Sequence, residues 1–302
     1  MLELYVVDLK SGSFRNILVK LALAFFLVLL ILLLTSFFRS GIYSKELGLN
    51  IAVVGEDSIA IALIRPGEGH ILWIKLPLAM RVKIIDSAAE FPIYSLWKFA
   101  DKERDSLDLV SRSIASTMGV IVSSTIKIKG ELTPENMLSN LHTWKLNTNL
   151  SIRDRILLRK DLVGLVSTRK TIETDLPTNA LTKLTDPDGV EFLEVNNVIN
   201  LWTKSNFVFE KLLGEDIDVE VYNLSKVPGK ALLMSRQLES AGVRVTEVGS
   251  SYGGVLPGGD GCWFSSVNSD LQTVFLLKNL IGCREYRLSE GLEKKGIVVW
   301  IN

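Results

Sequence analysis

Residues 217–248, IDVEVYNLSKVPGKALLMSRQLESAGVRVTEV, decide how the C-terminal part of this chain folds. Ile217 to Asn223 alternates apolar and polar side chains with the period of two that a strand requires. From Pro228 to Ala241, Ala231, Met234, Ser235, Leu238 and Ala241 fall on one helical face, and Gly242 stands just past the helix end. Val243 to Val248 alternates again. After a glycine-rich loop, CWFSSV (262–267) reads as a further strand, 269–281 as a helix closed by Gly282, and CREYRL (283–288) and GIVVWIN (296–302) as final strands. The order β, α, β, β, α, β with an extra terminal strand predicts a small sheet covered by helices on one face, spanning 217–302.

Working towards the N-terminus, 167–216 is poorer in periodic structure. It carries turn signals at Asp175-Leu176-Pro177 and Asp186-Pro187-Asp188-Gly189, and one amphipathic stretch, VINLWTKSNFVFEKLL (198–213), so it reads as a connector with a short helix. Residues 48–166 form another unit. LNIAVVG (49–55), SIAIALIR (58–65), HILWIKLP (70–77) and MRVKIID (80–86) are successive strand signals separated by turns. Leu107, Leu109, Val110, Ile114 and Met118 then make a helical face ending before Gly119, and VIVSSTIKIKG (120–130) returns to strand. Pro134 sits just inside a helix start, and Ser151 with Asp154 three residues on marks the cap of IRDRILLRKDLVGLV (152–166). On that last helix Ile152, Ile156, Leu157 and Val163 are read as the apolar side, with Arg153, Asp154, Arg155 and Arg159 as a solvated polar face. The fold class is therefore α/β (α+β).

Leu21 to Phe38, LALAFFLVLLILLLTSFF, passes without a charge. At ~1.5 Å per residue it covers about 27 Å, close to the hydrocarbon thickness of a bilayer. We read 17–38 as a transmembrane signal anchor behind a short cytoplasmic tail (1–16). Phe38 and Arg39 stand where a cleavage site would need small residues, which favours retention over cleavage. Lys10, Arg15 and Lys20 precede the run and Arg39 and Lys45 follow it, a bias that puts the N-terminus inside and everything beyond the anchor outside.

Composition removes several functions. With 34 basic and 34 acidic residues there is no electrostatic case for nucleic acid. His70 and His142, the only histidines, are too far apart in sequence for a metal-binding device, and no cofactor is expected. Cys262 and Cys283, the only cysteines, leave two alternatives open: a disulfide in an extracytoplasmic domain, or two separate buried thiols. Gly249-Ser250-Ser251-Tyr252-Gly253 matches the nucleophile-elbow pattern, but no histidine follows Ser251 and more loop follows where a helix is needed. The same loop lacks the Gly-Lys-Ser/Thr ending of a phosphate cradle. The six tryptophans are scattered in sequence and read as core rather than as a sugar platform.

Two segments resemble known domains. Val219 to Asn223, Gly229 and Ala231, then Leu238, Gly242, Val243 and Val245, with the closing apolar strand, resemble a LytR C-terminal domain. Glu56-Asp57-Ser58-Ile59, Ile64-Arg65-Pro66 and Leu76-Pro77-Leu78-Ala79-Met80-Arg81-Val82 resemble the start of a LytR-CpsA-Psr catalytic domain. That resemblance implies transfer of a glycopolymer from a polyprenyl pyrophosphate carrier to the wall, with arginines on the pyrophosphate and aspartates on a divalent metal. Asp57 keeps the first acidic position, but Leu78 and Ala79 replace the motif's Arg and Asp. Positioning and charge neutralisation carry phosphoryl transfer, so the loss implies a degenerate, truncated and non-catalytic relative.

The resulting expectation is a single-pass cell-envelope protein that binds wall glycan, polyprenyl-phosphate lipid or an envelope protein. Asp57, Arg65, Arg81, Arg153 and Arg155 are the candidate ligand-binding residues. Two alternatives remain: a working glycopolymer phosphotransferase using those displaced residues and a divalent metal, and a bitopic scaffold of a pilus or division assembly.

Overall fold

The computed structural model describes residues 11–38, 41–85, 87, 89–253, 258–286 and 296–302; within the first helix, side chains are described at 18–32 and 35. The chain forms two compact units, 1–41 and 42–302. The first unit contains helix α1 (Ser11–Phe38). Its described apolar side chains are exposed all round, from 41% at Leu29 to 70% at Phe26. Among the described residues no helix is long and apolar enough to cross a membrane. Of the expected tail, 1–10 lies outside the described residues, as does Arg39, and 11–16 already belongs to α1.

The second unit opens with β1 (Leu49–Val54), β2 (Ile59–Arg65) and β3 (His70–Lys75), an antiparallel meander. β4 (Arg81–Lys83) and β5 (Glu90–Pro92) form a small separate ribbon leading into α2 (Ile93–Ala100) and α3 (Ser106–Met118). β6 (Ser124–Lys127) returns parallel to β1; α4 (Pro134–Asn140), β7 (Asn147–Thr148) and α5 (Ile152–Ser167) follow. Every residue of β1 and β2 is buried, which is why both read as near-continuous apolar runs. Ile51, Val53, Ala62, Ile64 and Trp73 face one core with Leu158 and Leu162 of α5. Ala52, Val54, Ile61, Leu63 and Ile74 face a second core with Val110 and Ile114 of α3. The sheet is thus sandwiched between helical layers.

Residues 167–216 hold more structure than one short helix. β8 (Thr171–Asp175) pairs parallel to β3 and forms the edge of the six-stranded sheet, order β7-β6-β1-β2-β3-β8. β9 (Leu181–Thr185) and β10 (Glu191–Val195) make a hairpin around the Asp186–Gly189 turn, and α6 (Val198–Asn206) and α7 (Glu210–Leu213) follow. These strands lie at an edge or in a two-stranded ribbon with most residues exposed, so they lack the apolar alternation that marks a core strand.

The C-terminal part again alternates strands and helices. β11 (Asp218–Asn223), α8 (Lys230–Ser240) and β12 (Arg244–Gly249) form a parallel β-α-β unit. β13 (Cys262–Ser266), α9 (Gln272–Phe275) running into a π-helical turn (Leu276–Ile281), β14 (Arg284–Glu285) and β15 (Gly296–Ile301) complete a sheet of order β12-β11-β15-β13-β14. One face of that sheet (Val219, Val221, Phe264, Val299) packs on Leu238 of α8 and Leu277 of the π turn, within the same core as α5. A disulfide joins Cys262 to Cys283. The end of the expected CREYRL strand and residues 254–257 of the glycine-rich loop lie outside the described residues.

Candidate functional site

Of the five candidate charged residues, Asp57, Arg65, Arg81 and Arg155 take different partners. Asp57 lies in the β1–β2 turn and Arg65 ends β2, so about 20 Å of strand lies between them at ~3.3 Å per residue. Asp57 is exposed and held by Lys98 Nζ at 2.7 Å. Arg65 is only 3% exposed. It donates to the carbonyls of Val208 (3.3 Å) and Phe207 (3.2 Å) and lies over the Phe209 ring at 4.1 Å. Burial pushes the Arg65 pKa down to about 10 against the opposing pull of Glu68, so the charge serves as a buried clasp between β2 and the segment after α6. Arg81 binds Asp186 and stacks on Phe192 at 3.8 Å, fixing the β9–β10 hairpin to β4. Arg155 donates to the carbonyls of Leu141 (3.2 Å) and Thr143 (2.5 Å), and Arg153 is half-buried on the same helix.

These residues do not fit a divalent cation either. The second carboxylate of the resembling motif is Ala79 here, and Asp57 already faces an ammonium group. The cleft between α6 and α8 is about 230 Å³, lined by Asn200, Thr203, Ser235 and Arg236 and crossed by the Lys204–Glu239 ion pair at 2.8 Å. That is below the ~300 Å³ at which small-molecule pockets usually begin.

Helix α5 is turned differently from its expected orientation. Asp154 is 2% exposed and sits with Leu158 and Leu162 on the buried side, whereas Ile152, Ile156 and Val163 face outwards. Apolar residues occupy both sides of this helix, so periodicity alone does not fix which side is inside.

A further cluster lies on the face of the C-terminal sheet opposite the one that packs on α8. Strand register sets Gly249, Tyr222, Trp300, Trp263 and Arg284 side by side across all five strands. Tyr252 packs on Tyr222 (5.1 Å between ring centroids) and Trp300 (5.3 Å), and Tyr286 on Trp300 (6.1 Å) and Trp263 (6.5 Å). Arg284 lies over the Trp263 ring at 5.3 Å. Trp300 is fully buried beneath, while Tyr252, Tyr286 and Trp263 are half exposed. Gly249 belongs to the row because a Cβ there would meet the Tyr222 ring at 2.8 Å. The Gly249–Gly253 stretch thus contributes Gly249 and Tyr252 to this cluster.

Tyr222 Oη donates to Glu220 Oε2 at 3.0 Å. Burial first, then the carboxylates of Glu220 and Glu247, push its pKa up, so the hydroxyl keeps its proton. The signal in the sequence was parity: Tyr222, Trp263 and Trp300 each take the strand position opposite to the core-facing residues. Their adjacency depends on register and is invisible in one dimension.

No family model matches this chain, and no curated protein matches it. Among solved structures, TagT of B. subtilis aligns over 52% of this chain and 88% of its own, at 12% identity and a TM-score of 0.38. A LytR-CPS2A-psr family protein, YwtF (TagT), with bound octaprenyl pyrophosphate lipid aligns over 50% and 85%, at 13% identity and a TM-score of 0.36. A transcriptional regulator from Enterococcus faecalis aligns over 50% and 82%, at 8% and 0.39. Each likeness covers about half of this chain at low identity, and by itself decides neither family nor ligand.

Proposed function

We propose that this chain is a membrane-anchored cell-envelope protein that binds wall glycan without transferring it. In this reading α1 is the anchor with its N-terminus inside, 42–302 lies outside, and the aromatic row of the C-terminal sheet receives the glycan. The observation that carries it is the fate of the charged groups. Arg65, Arg81 and Arg155 are each bonded to a different part of the protein and Asp57 is paired with Lys98, which leaves these groups poorly placed to neutralise a pyrophosphate together. The half-exposed aromatics, by contrast, converge on one surface. Their flat apolar faces suit the C–H faces of sugar rings, and Arg284 and Glu247 at the margin suit ring hydroxyls. The anchor is supported by the uncharged run 21–38 and by apolar side chains exposed on every side of α1.

The test is co-sedimentation of the full chain, in nanodiscs, with insoluble wall glycan. Trp263→Ala is expected to weaken binding about tenfold, equivalent to ~1.4 kcal/mol, while Trp263→Phe stays within about threefold. Undiminished binding by a folded Trp263→Ala protein refutes the aromatic site. Metal-dependent transfer of a glycan phosphate by the purified chain refutes the non-catalytic reading.

A further inference from the structure

The outward side of α5 has a composition that water alone does not explain. Ile152, Ile156 and Val163 are 56%, 54% and 47% exposed, and at ~100° per residue they fall within about 40° of one another. Arg153 and Lys160 flank this stripe on one side and Arg159 on the other. The acidic residues of the helix point elsewhere: Asp154 accepts from the backbone N–H groups of Ile42 (3.3 Å) and Tyr43 (3.1 Å), and Asp161 accepts from the Tyr43 hydroxyl at 2.6 Å. Trp144, 85% exposed and followed by exposed Lys145, lies in the loop that Arg155 ties to α5 through the Thr143 carbonyl. An apolar stripe edged by cations of one sign, with a tryptophan beside it, is the pattern of a helix lying in a bilayer interface.

Connectivity supplies the second argument, and it rests on the reading of α1 as an anchor. If the span ends at Phe38, four peptide steps of at most ~3.6 Å keep Ile42 within about 14 Å of the bilayer boundary. Ile42 is clasped to the first turn of α5, and a helix with its side chains is only about 10 Å across. We propose that the Ile152–Ile156–Val163 face of α5, with Trp144, rests on the membrane surface and engages anionic lipid headgroups through Arg153, Arg159 and Lys160. The single sign of the flanking charge selects an anionic bilayer over a second copy of this neutral chain.

Because the native cysteines are paired with each other, an added cysteine is uniquely reactive. Full-length Ile156→Cys, and Leu201→Cys as a control on exposed α6, carry an environment-sensitive fluorophore in nanodiscs of phosphatidylcholine with phosphatidylglycerol. Quenching by doxyl lipids is expected to be at least about threefold stronger at 156 than at 201. Arg159→Glu with Lys160→Glu is expected to bring 156 down to the control. Equal quenching at both sites overturns the proposal, as does a shift at 156 seen only in nanodiscs holding two copies, which would mark a self-association face. Alkaline carbonate separates the two levels. A chain that carbonate strips from vesicles refutes the anchor and the α5 contact with it, whereas lost contrast in a chain that resists carbonate refutes the contact alone.

Discussion

Gly48→Ala is expected to cost more than about 3 kcal/mol of folding stability, seen as a large fall in the denaturant midpoint of the detergent-solubilised chain. Two terms add. Gly48 has φ +76°, where a residue with a Cβ pays about 1–2 kcal/mol. A methyl at that position would also land on the carbonyl oxygen of Ile64, with Pro66 Cδ 3.3 Å away. Ile64 cannot retreat, because it pairs with Leu49 on one side and Ile71 on the other. Nor can the Gly48 segment shift freely: its N–H donates to the Ser44 carbonyl at 2.7 Å, and Leu47 and Leu49 are buried on either side. Gly189→Ala separates the terms. Gly189 also has positive φ (+81°), but a Cβ there would meet nothing within 4 Å, so only the backbone term of about 1 kcal/mol is expected. Equal losses for the two variants would mean that the β1–β2 register does not depend on the bare Cα at 48.

What the sequence discloses follows from how local each determinant is. β1, β2 and β3 are legible because buried strands need apolar residues without interruption, and the β11–α8–β12 unit because strand and helix periods alternate there. The start of α5 is legible because its cap is local: Ser151 Oγ accepts from Asp154 N at 3.1 Å. Its orientation is not, because Ile152, Ile156 and Val163 compete with Leu158, Leu162 and Leu165 for the inside and only tertiary packing decides between them. β8, β9 and β10 escape notice since an edge strand and a two-stranded ribbon bury too little to impose alternation. Of the candidate charges only Asp57 stands at a charged position of the resembling motif, and Arg81 falls on a variable one. Whether such groups converge is set by partners distant in sequence: Phe207 for Arg65 and Asp186 for Arg81. The aromatic row reverses the case, with residues far apart in sequence brought into one line by strand register.

Asp154→Ala is expected to cost about 3 kcal/mol, for a reason that no local pattern contains. The carboxylate is 2% exposed and accepts three bonds: from the N–H groups of Ile42 and Tyr43, more than a hundred positions away, and from the Ser151 hydroxyl at 2.7 Å. Removing it leaves buried donors unpaired, each costing about 1–3 kcal/mol, and water cannot easily replace the acceptor beside buried Tyr43. Asp154→Asn preserves the volume and one carbonyl acceptor, so about half the loss is expected. Tyr43→Phe removes only the bond to Asp161, and about 1 kcal/mol is expected. Denaturant midpoints of the three variants order them, and limited proteolysis locates the damage, since cleavage within 42–47 should accelerate in Asp154→Ala and scarcely in Tyr43→Phe. The same pair tests whether this clasp transmits position to α5. With Ile42 released, the linker from α1 gains free length and the label at Ile156 should lose its quenching contrast, whereas Tyr43→Phe, which keeps both backbone bonds, should retain it. An unchanged midpoint in Asp154→Ala would show that the carboxylate's three bonds are replaceable, and α5 would then owe its placement to Leu158, Leu162 and Leu165 alone.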